Sequence, residues 1–394
     1  MTGEKPLLIL GVSARAAAFS ALTAGLSPIC GDAFADADLG RVCPATATDR
    51  YPAGLAEIAR AAPAAPWIYT GALENHPGLI ETISQSRILL GNGPRVLAGV
   101  RDPFAVAAAL AAAGLSAPAL AQMSDGLPRD GTWLRKPLHS SGGFGIIPWT
   151  RTTESDPAEQ RHQRKPRYYF QQRIAGLSRA AIFVAAGGKS QYLGATEQLL
   201  MASDPAATEA SFRYAGSVGP LPLSSGAVDR LRQIGDALTK AFGLVGLFGV
   251  DYIDDGQDIW PVEVNPRYTA SVEILERALS FSAVGRHVRA CVDGHLPCAA
   301  SEAAATRPAQ AWHAKRVVYA SRAGVVEAKT AELLLSMATA EGAGIPSIAD
   351  IPIAGAKLLP GNPVLTVFGQ GASRAAALAE IDRASASLAD ILPI

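Results

Sequence analysis

The residues best suited to chemistry lie close together in GLFGVDYIDDGQDIWPVEVNPR, from Gly246 to Arg267. Asp251, Glu263 and Asn265 supply two carboxylates and an amide oxygen. Such a hard-oxygen set suits Mg²⁺, which is usually held by one or two carboxylates together with substrate phosphates. A turn closes the sequence gap between them. Asp254-Asp255-Gly256-Gln257 stands between two alternating apolar runs, and Asp-Gly in that setting is a strong hairpin signal. The predicted strands are Leu247 to Ile253 and Ile259 to Val264. Across an antiparallel hairpin Asp251 can meet the second strand, where Glu263 and Asn265, two apart, share a face. An ordinary amphipathic hairpin with polar ends would carry the same pattern.

A second group lies upstream. Trp133-Leu-Arg-Lys136-Pro137 reads as a strand ending in a basic residue, followed by the loop His139-Ser140-Ser141-Gly142-Gly143-Phe144-Gly145. Glycine lets a backbone approach an anion closely, and successive N–H groups form an anion nest. Lys136 adds a point charge for phosphate. The alternative is a plain hairpin loop beside an exposed lysine. Lys-Pro followed by Ser-Ser-Gly-Gly-Phe-Gly is more specific than a lone GGxG. Arg213, in FRYAGSVGP, reads equally as a bidentate carboxylate clamp or as a surface ion pair.

The elements that must position these groups alternate. KPLLILGV is a buried strand, Ala16 to Ala24 an Ala-rich helix closed by Gly25, and Leu26 to Cys30 the next strand, a βαβ opening. Gly11-Val-Ser13-Ala-Arg15 lacks the second glycine of a dinucleotide fingerprint. Helix and strand continue to alternate to about residue 100, and a helix with Pro103 at its start follows. Tyr168 to Ile174 is a strand, and Ala180 to Ala186 and Gln191 to Thr196 form a hairpin. Residues 151–167 form a polar surface run. A helix from Ser225 to Phe242 leads into the metal-type hairpin, and a helix from Val272 to Val292 follows it. Strands at Ala314 to Ala320 and Val364 to Phe368 and a helix from Ser373 to Leu388 close the chain.

The chain has 394 residues, 49% hydrophobic and 18% charged, a globular composition with room for two or three cores. Lys and Arg together number 35, as do Asp and Glu, so the charge balance points to neither nucleic acid nor an anionic membrane. No uncharged apolar run reaches the ~20 residues of a bilayer span. Leu7 to Val12 is too short for a signal-peptide core, so the expected location is cytoplasmic. Cys30, Cys43, Cys291 and Cys298 form no CxxC pair. His287, Cys291, His295 and Cys298 have a zinc-like spacing, but Gly294 and Pro297 interrupt it, and a packed helix end is the preferred reading.

Taken together, these stretches resemble the ATP-grasp superfamily over most of the chain. The resemblance implies an α/β and α+β fold in three parts: a Rossmann-like pre-ATP-grasp domain over 1–102, the ATP-grasp fold over 103–300, and a small biotin-carboxylase-like domain over 301–394. AKRVVYASRAG and GNPVLTVFGQG carry the last likeness. LRKPLHSSGGFGI is similar to the family's lysine-plus-glycine loop. Lys136 would then contact ATP phosphates, with Ser140, Ser141, Gly142, Gly143 and Gly145 closing over them. YFQQRIAG is similar to the adenine hinge, so backbone groups at Gln172 and Ile174 would read adenine, with Gln171 nearby. VDYIDDGQDIWPVEVNPR is similar to the metal hairpin. Asp251, Glu263 and Asn265 would hold Mg²⁺, or Mn²⁺ in its place, and Arg267 would face the reacting phosphoryl and acyl groups.

Three departures stand out. Arg101-Asp102-Pro103 places proline where members often carry lysine, which makes Arg101 the candidate substitute. Ser178 stands where many members place a ribose-binding glutamate. Asp251 stands where some members have glutamate.

The activity implied is ATP- and Mg²⁺-dependent carboxylate–amine ligation through an acyl phosphate, on small-molecule carboxylate and amine substrates. His139, Arg213, Tyr214, Ser217 and Tyr268 are candidates to line the acceptor pocket. The narrower expectation is glutamate ligation in methanofuran- or tetrahydromethanopterin-like cofactor synthesis. The alternatives are a bicarbonate-activating carboxylase, a non-catalytic ATP sensor and an oxidoreductase using the N-terminal unit. The last domain is a candidate for homodimer formation.

Overall fold

Ile182 and Val184 are buried in one apolar cluster, and Phe183 and Ala185 in another. A strand apolar on both faces must lie inside a sheet that is covered on each side. The computed structural model, which describes residues 5–151, 168–201, 212–296, 311–339 and 347–392, places this strand at the centre of the molecule.

The strand Leu177–Ala186 is third in an eight-stranded sheet. In spatial order the strands are Ile259–Asn265, Gly246–Asp254, Leu177–Ala186, Lys189–Leu200, Tyr214–Gly219, Trp312–Tyr319, Pro363–Gly371 and Ile348–Ala349. All the pairings within it are antiparallel. The segment after residue 310, expected as a separate α/β piece, therefore extends the same sheet through the pairing of Val218 with Ala314.

Two layers cover this sheet. Helix Ser225–Phe242 packs Leu231, Ile234 and Leu238 against Phe183, Phe248 and Val250, and the rings of Phe183 and Phe248 stack 5.0 Å apart. The other face meets the N-terminal unit, a parallel sheet ordered Ala45–Ala47, Ser27–Asp32, Pro6–Leu10, Trp67–Tyr69. Its helix Arg15–Thr23 shares a core with Val184, Leu247 and Val284. A buried ionic knot ties the parts together. Arg15 pairs with both Glu273 and Asp350, and Lys315 Nζ donates to Glu273 at 3.1 Å. Burial opposes the Glu273 charge, but Arg15, Lys315 and Arg277 hold its carboxyl well below the ordinary range.

A third sheet, antiparallel, forms the opposing lobe: Leu120–Ala121, Tyr168–Gln172, Asp130–Pro137, Ile147–Thr150. It delivers Lys136 and Gln171 to the cleft.

The structure corrects one element. The helix expected over 272–292 is two, Val272–Leu279 and Ala283–Asp293. Ser280 between them is left-handed at φ 53°, and Ser282 caps the second helix through Gly285 N–H at 2.8 Å. Cys298 and the polar run over 152–167 lie outside the described residues.

Candidate active site

The hairpin forms as its turn residues require. Asp255 Oδ1 accepts from the N–H groups of Gln257 and Asp258 at 2.8 and 2.7 Å, closing the turn. The register sets Asp251 opposite Glu263 and Gly249 opposite Asn265, with a bulge after Asp251. Directly opposed residues share a face, so all three oxygen-bearing side chains converge. Asn265 Nδ2 donates to Asp251 Oδ2 at 3.2 Å.

Their electrostatics diverge. Burial, and then the neighbouring Glu263, push the Asp251 carboxyl up to about 7. Burial works against the Glu263 charge too, but Arg101 and Lys136 outweigh it and hold that carboxyl below the ordinary range. Two carboxylates this close favour a shared cation, and the all-oxygen donor set fits a hard divalent ion.

These groups floor a cleft of about 670 Å³ between the two lobes. Lys136, Gln171, Gln172 and Ile174 line its wall on the smaller sheet. Asp251, Glu263, Asn265 and Arg267 line the larger one. Lys136 is buried, donating to Gln171 Oε1 at 3.0 Å and across the cleft to the Val262 carbonyl at 3.3 Å. Ser178 Oγ donates to Gln198 Oε1 at 2.7 Å, and Gln198 also bonds Asp251. The Gln172 N–H is already given to the Ala119 carbonyl at 2.9 Å, so of the expected hinge contacts that one is taken.

The glycine-rich loop is anchored rather than free-standing. Asn75 Nδ2 and Arg101 Nη2 donate to the Ser140 carbonyl, at 3.2 and 3.3 Å, and Tyr214 N–H donates to the Gly142 carbonyl at 3.0 Å. Gly143 has φ 76°, and a Cβ there would sit 1.9 Å from the Phe212 carbonyl oxygen, so only glycine lets the loop lie this close. Gly142 and Gly143 line the cleft, whereas Ser141 and Gly145 do not. Ser140 borders a small adjoining recess with Arg101 and Glu263.

Arg101 does not point into open space as a stand-in for a phosphate-binding lysine. Its Nη1 donates to Glu263 Oε1 at 2.7 Å and its Nη2 to Asn75 Oδ1 at 3.1 Å.

Of the five residues expected around an acceptor, Tyr214 alone lines the cleft. Ser217 is fully buried between the Tyr214 hydroxyl and Ser271 Oγ, at 2.8 and 3.1 Å. Tyr268 turns away, its hydroxyl donating to Glu276 at 2.6 Å in the core beneath the N-terminal unit. Arg213 does not line the cleft as a clamp. It donates to the Gly361 carbonyl at 3.0 Å and packs between the rings of Phe144 and Tyr319. His139 is exposed on the loop.

Residues 100–271 match the family model for the ATP-grasp domain. The chain carries an ATP-grasp domain. Among curated proteins, the formate-dependent phosphoribosylglycinamide formyltransferase of Oleidesulfovibrio alaskensis is 38% identical over 86 residues, 21% of this chain and 21% of that protein. The match thus spans about a fifth of that relative's length. The whole chain shares its fold with solved ligases. A biotin carboxylase–β-γ-ATP complex from Campylobacter jejuni superposes with TM-score 0.67 at 14% identity, covering 97% of this chain and 91% of that one. The L-amino acid ligase from Bacillus licheniformis gives TM-score 0.66 at 13% identity, covering 100% and 98%. No helix among the described residues is long and apolar enough to cross a membrane.

The ATP-grasp cleft holds residues that sequence reasoning missed. Glu74, from the loop after the strand Trp67–Tyr69, lies buried against Arg267, and Asn75 beside it fixes Arg101 and Ser140. The one local signal is position, since loops at the carboxyl ends of parallel strands carry ligand-binding residues. Two other candidate groups are engaged within the fold. Asp32, where a dinucleotide fold presents a ribose ligand, caps the N–H groups of Ala14, Phe34 and Ala35. Both His287 nitrogens are engaged, one accepting from Leu247 N–H and one at the Leu90 carbonyl, and burial lowers its pKa.

Proposed function

We propose that this chain is an ATP- and Mg²⁺-dependent carboxylate–amine ligase acting through an acyl phosphate. The observation that carries it is the convergence of Asp251, Glu263 and Asn265 in one cleft with Lys136 and Arg267.

In this reading Asp251, Glu263 and Asn265 hold Mg²⁺, which supplies charge neutralisation at phosphate oxygens. Lys136 binds a phosphate oxygen from the opposite lobe, exchanging its contact with the Val262 carbonyl for one with the nucleotide. Ile174 lines the wall where the base would lie, with Gln171 and Gln172 beside it and Ser178 toward the ribose. The substrate carboxylate attacks the γ-phosphorus, an O–P bond forms, the β–γ bridge breaks and ADP leaves. The amine then attacks the acyl carbon, and phosphate departs with the electron pair of the C–O bond, taking up the proton that the amine nitrogen sheds. Arg267, held by Glu74 through Nε and Nη2, lines the cleft and presents its positive charge to these groups. Little covalent work falls to side chains; positioning and charge neutralisation supply the rate. The Ser140 to Gly145 loop excludes water from the labile acyl phosphate.

The narrower proposal rests on the sequence resemblance alone. It takes glutamate as the carboxylate, in methanofuran- or tetrahydromethanopterin-like cofactor synthesis. An ADP-release screen over carboxylate and amine pairs, with and without Mg²⁺, tests both levels. Release that needs one carboxylate and one amine supports the ligase. Release with bicarbonate and no amine assigns a carboxylase instead, and ATP binding without release under any pair assigns a sensor.

A further inference from the structure

Arg101 occupies the position from which a cation acts on Glu263. Its Nη1 lies 2.7 Å from Glu263 Oε1 and 3.3 Å from the Val264 carbonyl. Its Nη2 reaches Asn75 Oδ1 at 3.1 Å and the Ser140 carbonyl at 3.3 Å. One side chain therefore joins the N-terminal unit, the start of the glycine-rich loop and the metal-type hairpin. It borders the recess that Ser140, Gly143 and Lys136 also border, beside the phosphate end of the cleft. Neither partner is strongly exposed, at 11% for Arg101 and 30% for Glu263.

We infer that Arg101 is an exchangeable counter-ion for Glu263, so that metal and nucleotide bind as a linked pair. The inference rests on the metal-site reading above. A guanidinium and a divalent ion compete for the same carboxylate oxygen, because their charges repel in a half-buried site. When the metal takes Glu263, the Arg101 fork is released beside the phosphate end of the cleft, where paired N–H donors match phosphate oxygens. The nucleotide accepts the arginine that the metal displaces. Metal binding without nucleotide instead leaves Arg101 without its carboxylate, a cost that weakens metal binding in the nucleotide-free protein. Linkage makes the effect reciprocal: nucleotide tightens metal by the same factor as metal tightens nucleotide. Arg101 also holds the Ser140 carbonyl, so its release loosens one of the loop's anchors while those from Asn75 and Tyr214 remain.

The test is Mn²⁺ affinity by electron paramagnetic resonance, with and without ADP, in the full chain. Wild type should bind Mn²⁺ at least tenfold more weakly without ADP than with it. Arg101→Met should tighten nucleotide-free Mn²⁺ at least tenfold and weaken ADP at least fivefold, so the linkage collapses. Arg101→Lys, which keeps a charge beside Glu263, should stay within threefold of wild type without nucleotide. Should the Met variant fail to fold by circular dichroism, Arg101→Gln takes its place with the same expectation. Nucleotide-free Mn²⁺ affinity within twofold of wild type in the neutral variant overturns the exchange. A Glu263→Gln protein that binds Mn²⁺ with ADP as tightly as wild type overturns the metal site itself, a distinct failure.

Discussion

Glu74 Oε1 accepts two hydrogen bonds from Arg267, from Nε at 2.9 Å and Nη2 at 2.6 Å, across 193 residues of sequence. Glu74 is fully buried in its side chain, and its second oxygen has no partner among the described residues. Burial disfavours the Arg267 charge, yet Glu74 raises its pKa above the ordinary value. A buried charge stripped of its partner is costly, about 3–5 kcal/mol, whereas removing both partners is often tolerated. Arg267→Met should therefore lower the melting temperature more than the double variant Glu74→Gln with Arg267→Met does. Thermal melts of the two proteins check this; equal or reversed order would mean the pair carries no coupling.

Glu74→Gln alone keeps one oxygen acceptor but loses the charge that orients Arg267. A charge-assisted hydrogen bond contributes about 1.5–3 kcal/mol, so turnover should fall roughly 10- to 100-fold with the fold retained. Steady-state ADP release beside circular dichroism measures both. Near-normal turnover would mean that the orientation of Arg267 does not matter to the reaction.

The Asp251 carboxyl is raised to about 7 by burial and by Glu263. A carboxyl whose folded pKa exceeds its unfolded value stabilises the fold when protonated. That stability is full below about 4 and is lost as pH rises to about 7. Without divalent ions, wild type should lose more thermal stability between pH 5 and pH 8 than Asp251→Asn. Metal affinity should run the opposite way and rise through the same window, because a metal ligand must be deprotonated. Melts with chelator and Mn²⁺ titrations at the two pH values check each direction. Parallel pH profiles for the two proteins would contradict the shift.

The hairpin was legible because its determinants are local. The Asp-Gly turn, the alternating apolar residues and the two-residue spacing of Glu263 and Asn265 all act within twenty or so residues. The loop after Lys136 was legible for the same reason. Glu74 was not, since nothing near LEN marks it until tertiary packing brings Arg267 to it. The Arg101–Glu263 pair spans 162 residues and was likewise hidden. Ser217 and Tyr268 were misplaced because a polar side chain near a motif can satisfy itself inward, as both do here. The pairing of Tyr214–Gly219 with Trp312–Tyr319 depends on which strand edges remain open, which is a property of the assembled sheet.

Gly143→Ala tests the loop. The added Cβ meets the Phe212 carbonyl oxygen at 1.9 Å, and the φ of 76° costs an L-residue about 1–2 kcal/mol. The loop should shift away from the strand it lies against. The expected result is a KM for ATP raised about tenfold with little change in melting temperature, since 1.4 kcal/mol is one decade. An unchanged KM would mean the loop does not touch the nucleotide.

Glu263→Gln is the most direct test of the metal-holding hairpin. The change keeps size and removes the charge that the metal and Arg101 both read. ADP release is to be measured with saturating ATP, Mg²⁺ and the best carboxylate–amine pair, alongside circular dichroism. Turnover at background with a native spectrum is the expected result. Turnover within a few-fold of wild type would contradict it.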